Sequence, residues 1–326
     1  MTRTYLLPAA IGTDGELLAG GPLRFARVVR IVRHPDGRTD RSSHDPQAFD
    51  STALTAGRAP LPFLPGDRPA VMGILNVTPD SFSDGGRHAD AAVAVAAAHA
   101  MHAAGAAIID VGAESTRPRA PLIDTATEQA RLAAVLPGLA GLPWSIDTRK
   151  AAVMAKALDA GAALVNDVSA LTHDAAALAL VAARGAPVVL MHAQGTPQTM
   201  QEAPAYADAL LDVYDWLAAR IAVCAAVGIP RPRIIADPGI GFGKTLAHNL
   251  ALLRGLPLFH GLGVPLLLGA SRKQLIARIA GDAAPEQRLP GSLALALHAA
   301  ACGVQIVRVH DVPETVQALA VWRAMH

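Results

Sequence analysis

The stretch WSIDTRKAAVMAKALDAGAALVND, residues 144–167, holds one full repeat of the pattern that decides the fold. A short apolar segment ends in Asp147, an Ala-rich segment of helical length follows up to Gly161, and a second apolar segment ends in Asn166. A strand, a helix stopped by glycine and another strand form a βαβ unit, in which the two strands run parallel. Both strands of this unit therefore end in a polar residue at the same edge of the sheet.

The same alternation extends along the chain in both directions and comprises eight apolar segments. The polar residues at or beside their ends are Asn76, Asp110, Asp147, Asn166, His192, Asp237, Ser271 to Lys273, and His310. Strands that alternate with helices predict a parallel sheet, and eight such units close a (β/α)8 barrel. We therefore predict an α/β fold, a (β/α)8 TIM barrel, with the active site at the carboxyl ends of its strands.

The segments between the predicted strands carry helical patterns. We predict helices near 90–104, 126–140, 150–160, 174–184, 208–228, 248–254, 288–302 and 313–324, and one that opens after Ser271 to Lys273. Asp147 and Thr148 stand just before the helix near 150 and suit its N-cap. The loops that follow the first and second barrel strands are long and rich in Gly, Pro, Ser and Asp, and we expect them to close over the site.

Residues 1–68 lack this alternation and are rich in Gly, Pro and Arg. We predict that they form an N-terminal extension, a small β-hairpin cap or a partly disordered arm, in front of a barrel of residues 69–326. Within it we predict a hairpin of 5–11 with 16–19, a strand over 23–32 and an irregular linker over 41–68. No pattern in the extension indicates chemistry.

Composition excludes several classes of protein. The 326 residues include 28 basic and 27 acidic side chains, so no overall field favours a nucleic-acid or membrane partner. Aromatic residues make up 4% of the chain, which argues against stacking of bases. The most apolar segment, 91–111, is mostly alanine and is interrupted by His99 and Asp110, so we predict no membrane span. Cys224 and Cys302 have no metal-ligand spacing and suit reduced thiols in the cytoplasm.

Two motif matches are set aside. The segment GIGFGKT, residues 239–245, resembles a phosphate-binding P-loop, but Pro238 stands where the motif requires its first glycine. Asn76-Val77-Thr78 matches the glycosylation sequon, which has no meaning in a cytoplasmic protein.

The polar residues at the predicted strand ends form two chemical groups. Asp147 taken alone could equally be a helix cap or a site residue. For seven such residues the helix-cap interpretation is poor, because all seven would have to fall on one face of the barrel by chance. The seven residues are Asn76, Asp147, Asn166, Asp237, Lys273, Arg308 and His310. The aspartates and Asn166 supply acceptors for a ring that bears N–H and NH2 groups, whereas the basic residues suit phosphate oxygens or a ring carbonyl. We interpret His192 as a structural histidine.

The motifs at these strand ends resemble those of dihydropteroate synthases. They are GILNVTPDSFSDGG (73–86), IIDVGAESTRP (108–118), SIDT (145–148), VNDVSAL (165–171), LMHAQGTPQTMQ (190–201), ADPGIGFGK (236–244), LLGASRK (267–273), RLPGSLA (288–294) and IVRVHDV (306–312). The resemblance covers about residues 71–326. It implies a pterin-binding barrel of folate biosynthesis, usually dimeric and dependent on Mg²⁺, that condenses a dihydropterin-methyl pyrophosphate with 4-aminobenzoate.

Residue roles follow from the resemblance, motif by motif. It implies that Asn76 coordinates Mg²⁺, that Thr116 contacts the pterin substrate, that Asp147, Asn166, Asp237 and Lys273 line the pterin pocket, and that Arg308 and His310 hold the pyrophosphate. It also implies that Asp147, Lys273 and the loop residues Asp84 and Arg117 act in catalysis, and that Phe82, Pro118, Phe242 and Ser271 form the aminobenzoate pocket. Ala113, Arg149 and the long N-terminal extension depart from the family pattern.

Two other interpretations remain open at this point. A methyltransferase that takes methyl groups from a methyl-folate would keep Asp147, Asn166 and Asp237, but it needs neither the two long loops nor a pyrophosphate site. A non-catalytic paralogue that only binds a pterin or a partner should have lost a member of the set, and none is missing.

Overall fold

Four antiparallel strands form a small sheet at the start of the chain, in a computed structural model that describes residues 2–58, 60–77, 87–115, 120–196 and 198–325. The strands are β1 (Arg3–Gly12), β2 (Glu16–Leu17), β3 (Arg24–Arg33) and β4 (Thr39–His44). β3 lies at the centre, with β1 along one side and both β2 and β4 along the other.

The pairing in this sheet corrects two of the sequence predictions. The strand over 23–32 is confirmed, but the hairpin of 5–11 with 16–19 is wrong, because Tyr5 faces Ile31 and Glu16 faces Phe25 of the same central strand. β3 buries Phe25, Val28 and Ile31 completely, which gives β1 a longer apolar partner than the two-residue β2 could offer. The predicted irregular linker begins inside β4 and contains the short helix α1 (Thr52–Thr55). The division into 1–68 and 69–326 stays a prediction.

Eight parallel strands form the predicted barrel. They are β5 (Ala70–Asn76), β6 (Ile108–Gly112), β7 (Trp144–Asp147), β8 (Leu164–Asp167), β9 (Val188–Met191), β10 (Ile234–Asp237), β11 (Leu267–Leu268) and β12 (Ile306–Val309). Neighbours in space follow the order of the chain, and β12 returns to pair with β5. A parallel bridge between Ala236 and Leu266 joins β10 to β11 and closes the circle.

Helices surround the barrel at the predicted positions, with one exception. They are α2 (Arg87–Ala103), α3 (Thr125–Ala133), α4 (Ala151–Asp159), α5 (Ala177–Arg184), α6 (Ala209–Ala226), α7 (Leu246–Arg254), α8 (Gln274–Ala280), α9 (Leu289–Ala301) and α10 (Val312–Met325). The helix predicted over 126–140 is divided into α3 and a 3₁₀ turn, Leu136–Leu139, because Pro137 cannot continue an α-helix. In the part of the chain that is described, no helix combines the length and apolarity needed to cross a membrane.

The barrel interior separates apolar from polar residues along the strands. Met72, Ile108, Leu164, Val189 and Ile235 come early in their strands and pack together in the interior. The polar residues come two or more positions later, towards the carboxyl ends. This arrangement leaves one end of the barrel free for a polar cavity.

Candidate active site

A cavity of about 390 Å³ opens at the carboxyl ends of the barrel strands. Its wall includes nine of the residues predicted from sequence: Asn76, Asp147, Asn166, Asp237, Phe242, Ser271, Lys273, Arg308 and His310. Asp84, Thr116 and Arg117, with the predicted wall residues Phe82 and Pro118, lie outside the described residues. A carboxyl end of a barrel therefore collects side chains that are far apart in sequence, as the fold requires.

Asp110 is the hub of the hydrogen bonds beneath the cavity, and it was not among the predicted site residues. Its carboxylate is completely buried and accepts from Ser145 Oγ at 2.5 Å, from Asn166 Nδ2 at 2.9 Å and from Arg308 Nε at 2.6 Å. Asp110 stands two residues after Ile108 on β6 and so points into the barrel like Ile108. The signal that could have identified it is a charged residue inside an apolar strand, at a position whose side chain points into the barrel.

Asp147 lies beside this hub and is held by the same guanidinium. Arg308 Nη2 donates to Asp147 Oδ2 at 2.8 Å. Burial raises the pKa of Asp147 to about 7; the charge on Arg308 opposes this shift, and the carboxylate of Asp110 adds to it. Although burial acts against it, the charges of Asp110 and Asp147 raise the pKa of Arg308, so the guanidinium remains protonated.

The interpretation of Asp147 as a helix cap is wrong. Helix α4 begins at Ala151, its N-cap residue is Lys150, and the backbone N–H of Ala151 donates to Asp174 Oδ2 at 2.8 Å. Asp147 faces the cavity instead, and Thr148 Oγ1 donates to Glu128 at 2.6 Å. The N-terminus of α4 thus takes its carboxylate from a residue 23 positions further along the chain, which a local pattern could not reveal.

Asp237 and Lys273 also belong to the cavity wall, and each charge affects the pKa of the other group. Asp237 Oδ1 accepts from the backbone N–H of Gly239 at 2.7 Å, and burial raises its pKa against the effect of Lys273. Lys273 Nζ donates to the carbonyl of Ile240 and stands 4.5 Å from the centre of the Phe242 ring. Burial lowers the pKa of Lys273 to about 8, and Asp237 opposes this shift. This wall therefore combines a carboxylate, an ammonium and an aromatic face.

Ser271 and His310 form the part of the rim next to Arg308. Ser271 Oγ lies 3.0 Å from His310 Nδ1 and accepts from the backbone N–H of His310 at 3.2 Å. Arg308 and His310 both line the cavity, as their spacing of two residues predicts. Arg272, which directly follows Ser271, has a φ of +57° and forms an ion pair with Asp311.

The base of the second loop is held by buried ion pairs. Glu114 lies 3.0 Å from Arg149 and 3.1 Å from Lys150, and Lys150 also contacts Glu128 at 2.6 Å. Burial acts to raise the pKa of Glu114, but Arg149 and Lys150 lower it further than burial raises it. Arg149, a departure from the family pattern, therefore serves the loop base and is not in the cavity wall.

His192 and Lys244 lie behind the wall formed by Asp237. His192 is buried, its ring nitrogen Nδ1 is 2.9 Å from Lys244 Nζ, and burial together with Lys244 lowers its pKa to about 3. It is a structural histidine, as predicted. Lys244 was set aside with the P-loop match, yet its buried side chain reaches the cavity wall from inside the protein.

Comparison with known proteins identifies relatives of this arrangement. The family model of pterin binding enzymes matches residues 72–310. The dihydropteroate synthase of Escherichia coli (strain K12) is 48% identical over 259 residues, which are 78% of this chain and 91% of that protein. A probable bifunctional folylpolyglutamate synthase/dihydropteroate synthase of Haloferax volcanii is 44% identical over 92% of this chain and 36% of its own length. That match must extend into the residues before the barrel.

Solved structures agree in fold and in sequence. The dihydropteroate synthase of Yersinia pestis, in a sulfonamide drug complex, has a TM-score of 0.75 and 46% identity, covering 79% of this chain and 94% of that chain. The enzyme of Xanthomonas albilineans in complex with 7,8-dihydropteroate has a TM-score of 0.72 and 44% identity, covering 79% and 94%. These relatives favour neither a methyltransferase nor a non-catalytic paralogue. The chain is therefore a pterin-binding enzyme that belongs to the dihydropteroate synthase family.

Proposed function

We infer that the cavity carries out dihydropteroate synthesis by joining a (7,8-dihydropterin-6-yl)methyl diphosphate to 4-aminobenzoate, with release of 7,8-dihydropteroate and diphosphate. The observation that carries this inference is one cavity wall with buried Asn166 and Asp237, nearly buried Asp147, and the cation Arg308. Acceptors set into a concave wall suit a flat ring with several N–H donors. The Escherichia coli and Xanthomonas albilineans relatives support the same reaction.

The pterin ring lies against the carboxylates of this wall. Asp237 retains the oxygen Oδ2, which does not take part in the bond from Gly239, to accept from the ring. Asp147, paired with Arg308, lies where its negative charge can stabilise positive charge that develops on the ring. Asn166 is oriented by its bond to Asp110, so its side-chain oxygen is free of that bond and can face the ring.

The diphosphate lies towards Arg308, His310 and Asn76. Asn76 is the last residue of β5 and lines the cavity, where its amide oxygen is available as a ligand. Among the described residues no group of three or more His, Cys, Asp or Glu is placed to hold a metal ion. One protein oxygen nevertheless fits Mg²⁺, because this ion keeps several waters and shares substrate phosphates. When bound there, Mg²⁺ would neutralise charge on the departing diphosphate.

The second substrate lies beside Lys273. Phe242, Lys273 and Ser271 all line the cavity, and the slot assigned to 4-aminobenzoate lies beside them, with the amine towards the methylene carbon. The carbon–oxygen bond to diphosphate breaks, the amine nitrogen bonds to that carbon, and the nitrogen then gives its extra proton to the released diphosphate. No side chain forms a covalent bond with substrate. The chain activates the electrophile by binding its leaving group and stabilising its ring.

Thr116, Asp84 and Arg117 complete the site in this proposal. Thr116 contacts the pterin substrate, and Asp84 and Arg117 act from the two loops once these close. Loop closure excludes water, which would otherwise capture the electrophile before the arylamine arrives. Their roles follow from the family motifs at 73–86 and 108–118.

We also propose a homodimer formed through α9. This helix, LPGSLALALHAAA, is apolar on all sides, yet Leu293, Leu295 and Leu297 are partly exposed. Ile279 on the adjacent α8 is 58% exposed. A helix that is apolar all round is normally covered on every side, so a second copy of the chain is the natural cover. Leu293→Glu should give a monomer by analytical ultracentrifugation, whereas a dimer of unchanged stability would exclude this surface.

The cytoplasm is the compartment that suits this enzyme. Cys224 and Cys302 are both free and buried, and neither is paired in a disulfide. Thiols in this state are typical of a reducing compartment.

A coupled assay of diphosphate release tests the proposed reaction directly. With the pterin diphosphate and Mg²⁺, release should depend on added 4-aminobenzoate, and 7,8-dihydropteroate should form in equal amount. Product that forms without release of diphosphate, or release that is indifferent to the arylamine, would exclude the proposal. Transfer of methyl from a methyl-folate serves as the control reaction and should be absent.

A further inference from the structure

The segment Gly239 to Thr245, which we call the glycine loop, turns its carbonyl groups towards side chains. Five successive carbonyls, from Gly239 to Gly243, each accept a hydrogen bond from a side chain: Lys244, Lys273, Gln201, Lys244 again and Tyr206. Two of these donors are lysines, and one of them, Lys244, belongs to the loop itself. An ammonium group therefore lies inside the turn of its own backbone.

Three carbonyl oxygens and a histidine ring nitrogen surround Lys244 Nζ. The nitrogen lies 2.9 Å from the carbonyl oxygens of Gly239 and Phe242, 2.9 Å from His192 Nδ1 and 3.2 Å from the carbonyl oxygen of His192. An ammonium has three hydrogens and no lone pair, so three short contacts satisfy it completely. A neutral amine has only two hydrogens, so it could not donate to all three carbonyl oxygens.

The charge state follows from two opposing effects. Burial lowers the pKa of Lys244 to about 7, and the nearby carboxylate of Asp237 opposes this shift. The three carbonyl oxygens can only accept hydrogens, and His192 is neutral because burial, together with Lys244, lowers its pKa to about 3. The geometry thus favours a protonated lysine and a histidine that carries its proton on Nε2.

The glycine loop is packed against the residues that follow β9 and leaves no room for a side chain at Gly239 or Gly243. A Cβ atom on Gly239 would lie 1.9 Å from the carbonyl oxygen of His192, and one on Gly243 would lie 2.3 Å from that of Gln194. Both glycines also have positive φ, +69° and +62°. Only glycine allows this approach, which brings the loop carbonyls to the Lys244 ammonium.

The groups that the loop presents to the cavity depend on this packing. The carbonyl of Ile240 accepts from Lys273 Nζ, and the Phe242 ring stands 4.5 Å from the same ammonium. The N–H of Gly239 donates to Asp237 Oδ1. A displaced loop would therefore disturb the slot assigned to 4-aminobenzoate at two points, Lys273 and Phe242, and the pterin wall only through the single bond to Asp237.

We propose that Lys244 is a positioning residue whose ammonium acts as a built-in monovalent cation, fixing the glycine loop against His192 and so holding Phe242 and Lys273 for the arylamine. Three oxygens and a nitrogen at about 3 Å form the kind of shell that carbonyl groups also offer to K⁺. The tether makes the cation permanent and independent of the salt around the protein. The link to the arylamine rests on the proposed function; the cation site does not.

The test removes the tethered cation and returns a free one. In Lys244→Ala the KM for 4-aminobenzoate should rise by about tenfold or more, while the affinity for the pterin should change less than about threefold. Ammonium or ethylammonium chloride at about 100 mM should restore most of the lost kcat/KM, and choline chloride at the same ionic strength should not. Lys244→Met fills the space with an apolar chain and should show the same defect without rescue.

Melting temperature provides a second readout that needs no substrate. Ammonium should raise the melting temperature of Lys244→Ala relative to choline, and it should leave wild type, Lys244→Met and the exposed-lysine control Lys156→Ala unaffected. This result would support the cation site even if the wild-type protein lacked the proposed reaction. A folded Lys244→Ala that neither salt affects would overturn the proposal. So would an unchanged KM for the arylamine in Lys244→Met, or equal losses for both substrates.

Discussion

Arg308 combines a predicted role, facing the diphosphate, with an unpredicted one, holding the two carboxylates beneath the pterin. Its spacing from His310 predicts that both side chains point to the same face, and both do line the cavity. The spacing does not reveal what lies beneath them. The guanidinium also holds Asp110 at 2.6 Å and Asp147 at 2.8 Å, so it maintains the pterin wall as well as facing the diphosphate.

Removing Arg308 should therefore damage more than diphosphate binding. Arg308→Ala leaves Asp110, which is fully buried, and Asp147 without their cation, and loss of one partner of a buried pair costs roughly 3–5 kcal/mol. We expect a loss of that order in the free energy of unfolding, measured with urea, together with weaker binding of both the pterin product and the diphosphate substrate. Arg278→Ala, an exposed arginine at the same cavity, should change stability by less than about 0.5 kcal/mol. A selective loss of diphosphate binding at unchanged stability would contradict this view of Arg308.

The raised pKa of Asp147 predicts a pH dependence. Burial holds the pKa of Asp147 at about 7, with Arg308 acting against the shift and Asp110, Asp167 and Glu128 adding to it. If the ionised carboxylate stabilises charge on the pterin, kcat/KM should rise as the pH increases through about 7. Asp147→Asn should lower the rate and remove this limb from the profile. A limb that persists unchanged in the variant would assign it to another group.

The same group has an opposite effect on stability. Because the folded pKa of Asp147 lies above its ordinary value of 3.8, the folded protein binds more protons than the unfolded chain between about pH 4 and pH 7. This contribution therefore stabilises the fold at low pH and is lost as the pH rises through that window. Urea unfolding of Asp147→Asn at pH 5 and pH 8 provides the measurement: the difference between the two pH values should shrink relative to wild type.

Strands, helices and site residues could be predicted from the sequence only where the pattern that reveals them lies within a short segment. Strands, helices and polar strand ends follow from short patterns, and Asn76, Asp147 and Asn166 were found in this way. Asp110 was not selected, because its role depends on partners 35, 56 and 198 residues away. Lys244 was missed because it was considered only as part of the rejected P-loop match, and the sequence does not show that its side chain is buried. β4 was missed because its sequence, TDRSSH, is polar throughout, as an exposed edge strand can be.

The residues in the ion pairs under the second loop have unequal numbers of partners. Glu114 has two cations, Arg149 and Lys150, whereas Arg149 has Glu114 at 3.0 Å and a buried Nε without a hydrogen-bond partner. Side-chain exposure is 3% for Glu114 and 7% for Arg149, so solvent screens neither charge effectively. Arg149 thus depends on Glu114, whereas Lys150 also has Glu128 at 2.6 Å.

Truncation of the two partners should therefore have unequal effects. Glu114→Ala leaves a buried arginine uncompensated, and we expect a loss of roughly 3 kcal/mol in the free energy of unfolding. Arg149→Met removes a cation whose role Lys150 partly covers, together with the unpaired Nε, and should cost less than about 1 kcal/mol. Urea unfolding of both variants and of the double variant measures the difference. The reverse order would show that Arg149 carries the loop base.

Residues that precede the barrel in the chain close one of its ends. Leu61 and Phe63 come before the predicted boundary at 68/69, yet both are buried and pack with Met72, Ile108 and other interior residues from seven of the eight barrel strands. The cavity occupies the carboxyl ends of the same strands. The functional end is thus built by the strands and loops, and the apolar interior beneath it is completed by the segment in front of them.

This packing predicts where the barrel begins as a folding unit. Phe63 is 5% exposed, so Phe63→Ala should open a cavity in the barrel interior and cost about 3–5 kcal/mol in the free energy of unfolding. Phe49 is the matched control: it packs at the edge of the N-terminal sheet, is only partly buried and contacts His44 with ring centres 5.2 Å apart. Phe49→Ala should cost about 1 kcal/mol, and a single urea transition should persist in both variants. Equal small losses would place the boundary at 68/69 after all, whereas the larger loss at Phe63 assigns the residues just before β5 to the core of the barrel.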